Sequence, residues 1–150
     1  VLYALSVISK SVKSFVTELY LETKGFSDII DITSQVRDAV RNSEITNGFA
    51  LVFIPGATAA VTTMEYESGL IEDMKRALEV IAPINQSYKH DLRWGDGNGF
   101  SHVRASFLGP SLTIPIVNKE LILGVWQQIV VIDMDNKPRR RRVVIGVYGE

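Results

Sequence analysis

Eleven consecutive residues, Asp96-Gly97-Asn98-Gly99-Phe100-Ser101-His102-Val103-Arg104-Ala105-Ser106, bring glycine, amide, hydroxyl, imidazole and guanidinium groups together. A hydrophobic core has little use for so many hydrogen-bonding groups in one stretch, whereas a polar ligand does. Read as a helix that opens near Asn98, the segment places Asn98, Ser101, His102 and Ala105 on one face and directs Phe100, Val103 and Phe107 to the core. Asp96-Gly97 lets the backbone turn sharply before it. The first turn of a helix leaves N–H groups without intrahelical acceptors and carries partial positive charge. With Arg104 nearby, the glycine-bearing start is a candidate phosphate cradle. It is not a Walker or Rossmann pattern. The competing reading is that Gly97 and Gly99 only shape a tight loop and that His102 is a hydrogen-bonded core histidine.

His90 and His102 are the two histidines of the chain, and imidazole is the side chain that titrates near neutral pH unperturbed. If the loop between them folds back, they share a pocket. Two imidazoles and a carboxylate such as Glu65 suit a divalent transition metal. The spacing is not that of a zinc motif, and the alternative is an exposed His90 beside a structural His102. Glu65 ends a threonine-rich strand and reads either as a general base or ligand facing His102 or as a solvated strand end.

Those groups must be positioned by the elements around them. Residues 14–23 alternate in polarity and read as a half-buried strand. Residues 28–32 read as a short second strand. Thr33 or Ser34 is placed to cap a helix running through Asn42. Residues 49–54 and 57–64 read as strands broken by Pro55-Gly56. Ser68 opens the clearest helix, with Leu70, Ile71, Met74, Ala77, Leu78 and Ile81 on one stripe, and Pro83 stops it. Residues 84–97 read as a long loop of the kind that carries function, and 98–108 as a short helix. Strands follow at 112–117, 120–124, 126–133 and 140–148. The short turns between the late strands favour antiparallel pairing among them, and the whole is an α+β pattern. Trp126 is expected in the core with Gln127 or a carbonyl as its partner. Arg139 to Arg142 are split between two faces by alternation, and read as an edge strand whose charges block association rather than as a phosphate or nucleic-acid patch.

Composition narrows the function classes. The chain has 150 residues, 46% of them hydrophobic, enough for one core. A net charge of -1 supplies no field for nucleic acid or an anionic membrane. With no cysteine there are no disulfides, thiolate metal sites or thiol nucleophiles, which fits a reducing cytoplasm. No apolar run reaches membrane-spanning length. Val1-Leu2-Tyr3-Ala4-Leu5 lacks the basic leader of a secretory signal.

Several motifs in order resemble a known family: PGATAAVTTME at 55–65, Tyr88-Lys89-His90, GNGFSHVRA at 97–105, Leu108-Gly109-Pro110-Ser111, Ile114-Pro115-Ile116 and LGVWQQI at 123–129. Together they are similar to the YjbQ-like family, whose members are described as secondary thiamine-phosphate synthases. The resemblance implies a small α+β domain containing a β-sandwich with a few helices, assembled as a homotrimer, with a polar pocket at a subunit boundary and, in some relatives, a metal. The implied reaction joins a phosphorylated hydroxymethylpyrimidine to a phosphorylated thiazole and releases pyrophosphate. Glu65, His90, Asn98 and His102 match the family's polar motif residues, Ser101 and Arg104 its neighbouring segment, and Trp126 and Gln127 its LGTWQ-like strand. Two positions depart from it: many members carry histidine where Gly56 and Phe100 stand. Fewer imidazoles leave a weaker metal site, completed by oxygen ligands and water.

The resulting expectation is an enzyme acting on a small phosphorylated molecule. Glu65, His102 and Asn98 are its catalytic candidates, Gly97, Gly99, Ser101 and Arg104 its phosphate ligands, and His90 and His102 its ligands for a zinc or magnesium ion. The alternative is a trimer that binds or senses a ligand without chemistry. Neither calls for nucleic acid or a membrane as partner.

Overall fold

The structure is a computed structural model and describes residues 11–150; the reading of Val1 to Leu5 lies outside them. The chain runs β1 (Lys13–Thr23), β2 (Asp28–Asp31), α1 (Thr33–Ser43), β3 (Gly48–Phe53), β4 (Ala59–Met64), α2 (Ser68–Ile81), α3 (Lys89–Trp94), α4 (Gly99–Leu108), β5 (Ser111–Val117), β6 (Glu120–Leu121), β7 (Gln128–Asp133) and β8 (Arg139–Gly149). Two antiparallel sheets result, one in the order β1-β8-β3-β5-β6 and the other β2-β7-β4.

The sheets face each other across the main core. Ala50, Val52, Ile114, Val143, Ile145 and Val147 meet Val61, Ile129 and Val131 there, and α1 adds Val36, Ala39 and Val40. The three-stranded sheet is buried on its other face as well. Val130, Ile132 and Met134 point away from the first core and pack with Leu70, Ile71 and Met74 of α2 and Leu108 of α4. Burial on both faces explains why β7 is a continuous apolar run, whereas β1, with one face exposed, alternates. A helical layer therefore covers the small sheet, and the histidines belong to that layer. No helix of the described residues is long and apolar enough to cross a membrane.

Several expectations are corrected. The stretch 84–97 is not all loop, because α3 forms inside it and closes on Gly95 at φ 70°. Thr33 does not cap α1 by its side chain; the N-cap is Ile32, and Asp31 Oδ1 accepts from Thr33 N at 2.9 Å and from Thr33 Oγ1 at 2.6 Å. The late strands do not all pair with one another. β5 pairs with β6, but β7 crosses to β2 and β4, and β8 returns between β1 and β3. The strands expected at 120–124 and 126–133 are shorter, β6 ending at Leu121 and β7 starting at Gln128, and in the loop between them Gly124 N donates to Gln127 Oε1 at 3.0 Å. Trp126 on that loop is 71% exposed rather than in the core. β8 is central where residues 144–149 pair with both β1 and β3, but Arg139 to Arg142 pair with β1 alone, so the arginine stretch keeps one unpaired side, as an edge does. Its outward residues pair across to β1, Arg140 with Glu22 at 3.7 Å and Arg142 with Glu18 at 3.5 Å, while Arg139 and Arg141 turn inward. In α4, Phe100 is buried as expected but Phe107 is 68% exposed.

Candidate functional site

The helical layer folds the two histidines together. α3 carries His90, α4 carries His102, and the connection 95–98 reverses the chain through Gly95 and Gly97, at φ 70° and 68°. The ring centroids lie 4.3 Å apart, tilted by 37°. The helices approach closely because position 99 has no side chain: a Cβ there would stand 2.5 Å from Tyr88 Cβ. Tyr88 is fixed by its hydroxyl, which donates to Pro83 O at 2.6 Å.

Two carboxylates border the imidazoles. His90 Nδ1 lies 3.5 Å from both Asp91 Oδ1 and Asp96 Oδ1. One ligand atom from each of the three residues falls within 4.8 Å of the others, a spacing that one cation can bridge, and the imidazole-carboxylate donor set suits a divalent transition metal. His102 is half-buried, and its pKa is lowered from 6.5 first by burial and then by the neighbouring His90; Asp96, Asp135 and Asp91 oppose the shift without cancelling it.

Beneath the pocket, Asn98 Nδ2 donates to Asp135 Oδ1 at 3.2 Å, whereas Asn98 Oδ1 is buried without a hydrogen-bond partner among the described residues. Asp135 is sealed from solvent. Burial works against its charge, but hydrogen bonds from Asn136, Asn98 and Arg139 outweigh that and hold its carboxyl below the ordinary range. Asn136 Nδ2 also donates to Asp96 O at 2.8 Å, tying the histidine loop to the turn before β8.

The phosphate cradle expected at the start of α4 is not open in this form. Gly99 N donates to Asp91 Oδ1 at 2.8 Å, so a carboxylate of the chain already occupies the helix start. Ser101 is buried and its hydroxyl donates to Met134 O at 2.6 Å. Arg104 is a core residue. Its Nε donates to Ala82 O at 3.0 Å, Nη1 to Ser27 Oγ at 3.1 Å and Nη2 to Glu79 Oε2 at 2.6 Å. Gly97 is exposed at the loop crest. Glu65 lies in a separate hollow with Asp31, Tyr66, Glu67 and Trp126, while His102 lines other cavities. The chain thus gathers His90, His102 and Asn98 in one neighbourhood, spends Gly99, Ser101 and Arg104 on the fold, and leaves Glu65 elsewhere.

Sequence reasoning missed Asp91 and Asp96 as carboxylates of the pocket, and Asp133, Asp135 and Arg141 beneath it. Asp91 could have been found from its adjacency to His90. Asp133 ends the otherwise apolar β7 and Asp135 lies two residues beyond it, both buried, where a charge needs a partner.

Two face-to-face antiparallel sheets under a helical layer with a histidine-carboxylate pocket define a class of small α+β proteins with a polar site on one side. The chain belongs to the family described as UPF0047 protein YjbQ-like, whose model matches residues 17–150. It is 39% identical over 136 residues to a UPF0047 protein of Methanothermobacter thermautotrophicus, covering 91% of this chain and 93% of that one. It is 40% identical over 128 residues to a UPF0047 protein of Archaeoglobus fulgidus, covering 85% and 97%. The crystal structure of a YbjQ-like protein of unknown function from Sulfolobus solfataricus P2 superposes with a TM-score of 0.89 at 32% identity, over 93% of this chain and all of that one. A YjbQ/UPF0047 family protein of Clostridium acetobutylicum gives 0.80 at 35% identity, over 87% and 98%.

Proposed function

We propose that the chain is a small-molecule enzyme acting on a phosphorylated substrate at the His90–His102 pocket, with activity of the thiamine-phosphate-synthase type. The observation that carries the reading is the contact of two imidazoles at 4.3 Å with Asp91 and Asp96 beside them. Such pairing of titratable groups in a cleft is how acid-base sites are built. His90, Asp91 and Asp96 would hold a divalent ion, and their mixed nitrogen and oxygen donors favour zinc over magnesium. When bound, such an ion stabilises negative charge on a departing phosphate group.

The chain's own residues do the rest. His102, whose burial disfavours the charged form, accepts or returns a proton. Asn98 offers a fixed amide acceptor, Oδ1, held in place by the bond from its Nδ2 to Asp135. In the reaction, the thiazole ring nitrogen gives its lone pair to the pyrimidine's methylene carbon and forms the new carbon–nitrogen bond, while the carbon–oxygen bond from that carbon to the diphosphate breaks and pyrophosphate leaves with the electron pair. Stabilising that charge is the main catalytic task. Glu65 enters through assembly: in a homotrimer, the Glu65–Trp126 hollow of one copy would meet the histidine pocket of another. A cytoplasmic location, inferred from the cysteine-free composition, completes the reading.

The test is to incubate purified protein with hydroxymethylpyrimidine diphosphate and thiazole phosphate, with zinc or magnesium, and to follow pyrophosphate release. Turnover is expected, and His102→Ala should abolish it while circular dichroism stays native. Full activity in His102→Ala would remove this residue from the mechanism. The second reading, a trimer that binds ligand without chemistry, is favoured by the commitment of Gly99, Ser101 and Arg104 to the fold. It predicts that the same compounds raise Tm and are recovered unchanged.

A further inference from the structure

With Arg104 locked into the fold, the pocket needs another positive group if it is to hold an anionic ligand. Arg141 is that group by position. It is a buried residue of β8, 9% exposed, and three of its N–H bonds are spent on one edge. Nε donates to Asp133 Oδ2 at 2.7 Å, and Nη2 donates to Asp133 Oδ1 at 2.8 Å and to Thr58 Oγ1 at 2.7 Å. A guanidinium presents five N–H donors in a planar fork, so a carboxylate on the Nε–Nη2 edge leaves Nη1 over. Among the described residues nothing accepts from Nη1, and Nη1 is not sealed either: the one polar side-chain atom both sealed and unpartnered is Asn98 Oδ1. Nη1 therefore remains open to an acceptor other than the described residues.

What lies over Nη1 is a glycine. Gly56 has φ 117°, a conformation that L side chains rarely adopt, and a Cβ on it would stand 3.2 Å from Arg141 Nη1. Gly56 also lines a cavity of about 190 Å³ together with Ala57, Ser106 and His102. The missing side chain thus leaves room over Nη1, and the glycine that leaves it borders the same cavity as His102. Asp133 and Thr58 hold the planar group so that it is pre-organised for a further acceptor.

We propose that Arg141 is the oxyanion anchor of this pocket, with Nη1 donating to a phosphate or carboxylate oxygen of a ligand seated at the Gly56 loop beside His102. This deepens the functional reading above and rests on it for the choice of phosphate. Asp133 and Asp135 balance the charges of Arg141 and Arg139, whose Nε donates to Asp135 Oδ2 at 2.7 Å. The anchor therefore supplies direction more than net charge, and a bare anion binds modestly.

The experiment is calorimetric titration of the full chain with inorganic pyrophosphate, and with malonate as the carboxylate probe. Ala57→Asp is the main variant. Residue 57 is exposed on the loop, so the new carboxylate competes for Nη1 while the Asp133–Arg141–Thr58 bonds stay intact. Arg141→Lys, which keeps the charge and loses the fork, is the second. Each should weaken pyrophosphate binding by about tenfold or more. Unchanged affinity in Ala57→Asp, or no pyrophosphate binding by the wild type, overturns the anchor. Tighter binding of malonate than of pyrophosphate, sensitive to Ala57→Asp, keeps the anchor and overturns the phosphorylated substrate. Variant-sensitive pyrophosphate binding without turnover keeps the anchor and overturns the enzyme. Turnover with variant-insensitive binding does the reverse.

Discussion

His102 is held between two influences that both disfavour its charge, burial and the facing ring of His90. Its native pKa therefore lies below the ordinary 6.5, and the native state binds fewer protons than the unfolded chain between those two values. Stability must fall as pH drops below the ordinary value and level off once the native pKa has been passed. In chelator-treated protein, the ring resonances of His102 should titrate at lower pH than a free histidine. His102→Gln should flatten the loss of Tm as pH falls below the ordinary histidine value. A His102 titration at or above the ordinary value would show that burial does not govern the pocket. The meeting of this residue with His90 was one of two readings open in the sequence, conditional on the chain folding back between them, which α3 and the turn at Gly95 and Gly97 bring about. The fate of Arg104 and Gly99 was not legible there. A guanidinium near a helix start looks the same whether it awaits phosphate or is claimed by Glu79, and only the packing of α2 and α3 against α4 brings in the carboxylates that claim them.

At the scale of elements, the site depends on α2, which covers the small sheet and supplies Glu79 to Arg104. Glu67 is its N-cap, and its carboxylate accepts from Gly69 N at 2.7 Å and Leu70 N at 2.9 Å. Those two bonds, the Gly69 one first, lower its pKa. Since the shift is downward, the stability it contributes is present above the ordinary Glu pKa and is lost as pH falls through the native value. Glu67→Ala should lower Tm at neutral pH, and the gap to wild type should close in acid, where the wild-type carboxyl is itself protonated. A gap of constant size across that range would mean that the cap acts by packing and not by charge. The helix was readable from its apolar stripe, but the sequence overstated its burial. Of that stripe only Leu78 is fully buried, while Ile81 is 49% exposed. The stripe gives the inward side of a helix and not how much protein lies over it. α3 escaped notice for a related reason: six residues are too few for a periodicity to show, and the tertiary contact with α4 sustains a turn that local preference would not.

The whole molecule is clasped by ions as well as by apolar packing. Asp133 of the small sheet and Arg141 of the large one meet in the interior, where Thr23 Oγ1 also donates to Asp133 Oδ2 at 2.5 Å and Arg139 reaches Asp135. β3 and β7 read as strands from their apolar runs, and the period-two pattern of β1 was plain from the sequence. Which strand pairs with which was not, since alternation assigns faces and not neighbours, and so this clasp was invisible. The outer face of the large sheet leaves Val16, Phe49 and Phe53 exposed, and the 122–126 loop leaves Val125 and Trp126 exposed. Apolar groups left out on that scale fit the proposed homotrimer, and sedimentation should give the mass of three 16.7 kDa chains; a monomer at working concentration would remove assembly from the account of Glu65. Breaking the clasp is the sharper test of the fold. Asp133→Asn leaves buried Arg141 with only Asp135, 3.8 Å away and already bonded to Arg139, to balance its charge, a loss of up to about 3–5 kcal/mol. Changing Arg141 and Asp133 together to apolar residues of similar volume removes the unpaired charge, so the double variant should be more stable than Asp133→Asn alone. Denaturant unfolding of the two variants decides it. If the double variant is no better than the single one, the sheets are joined by the apolar core alone and the ions are incidental to it. If it recovers stability but loses pyrophosphate binding, the ion pair is retained for the ligand rather than for the fold.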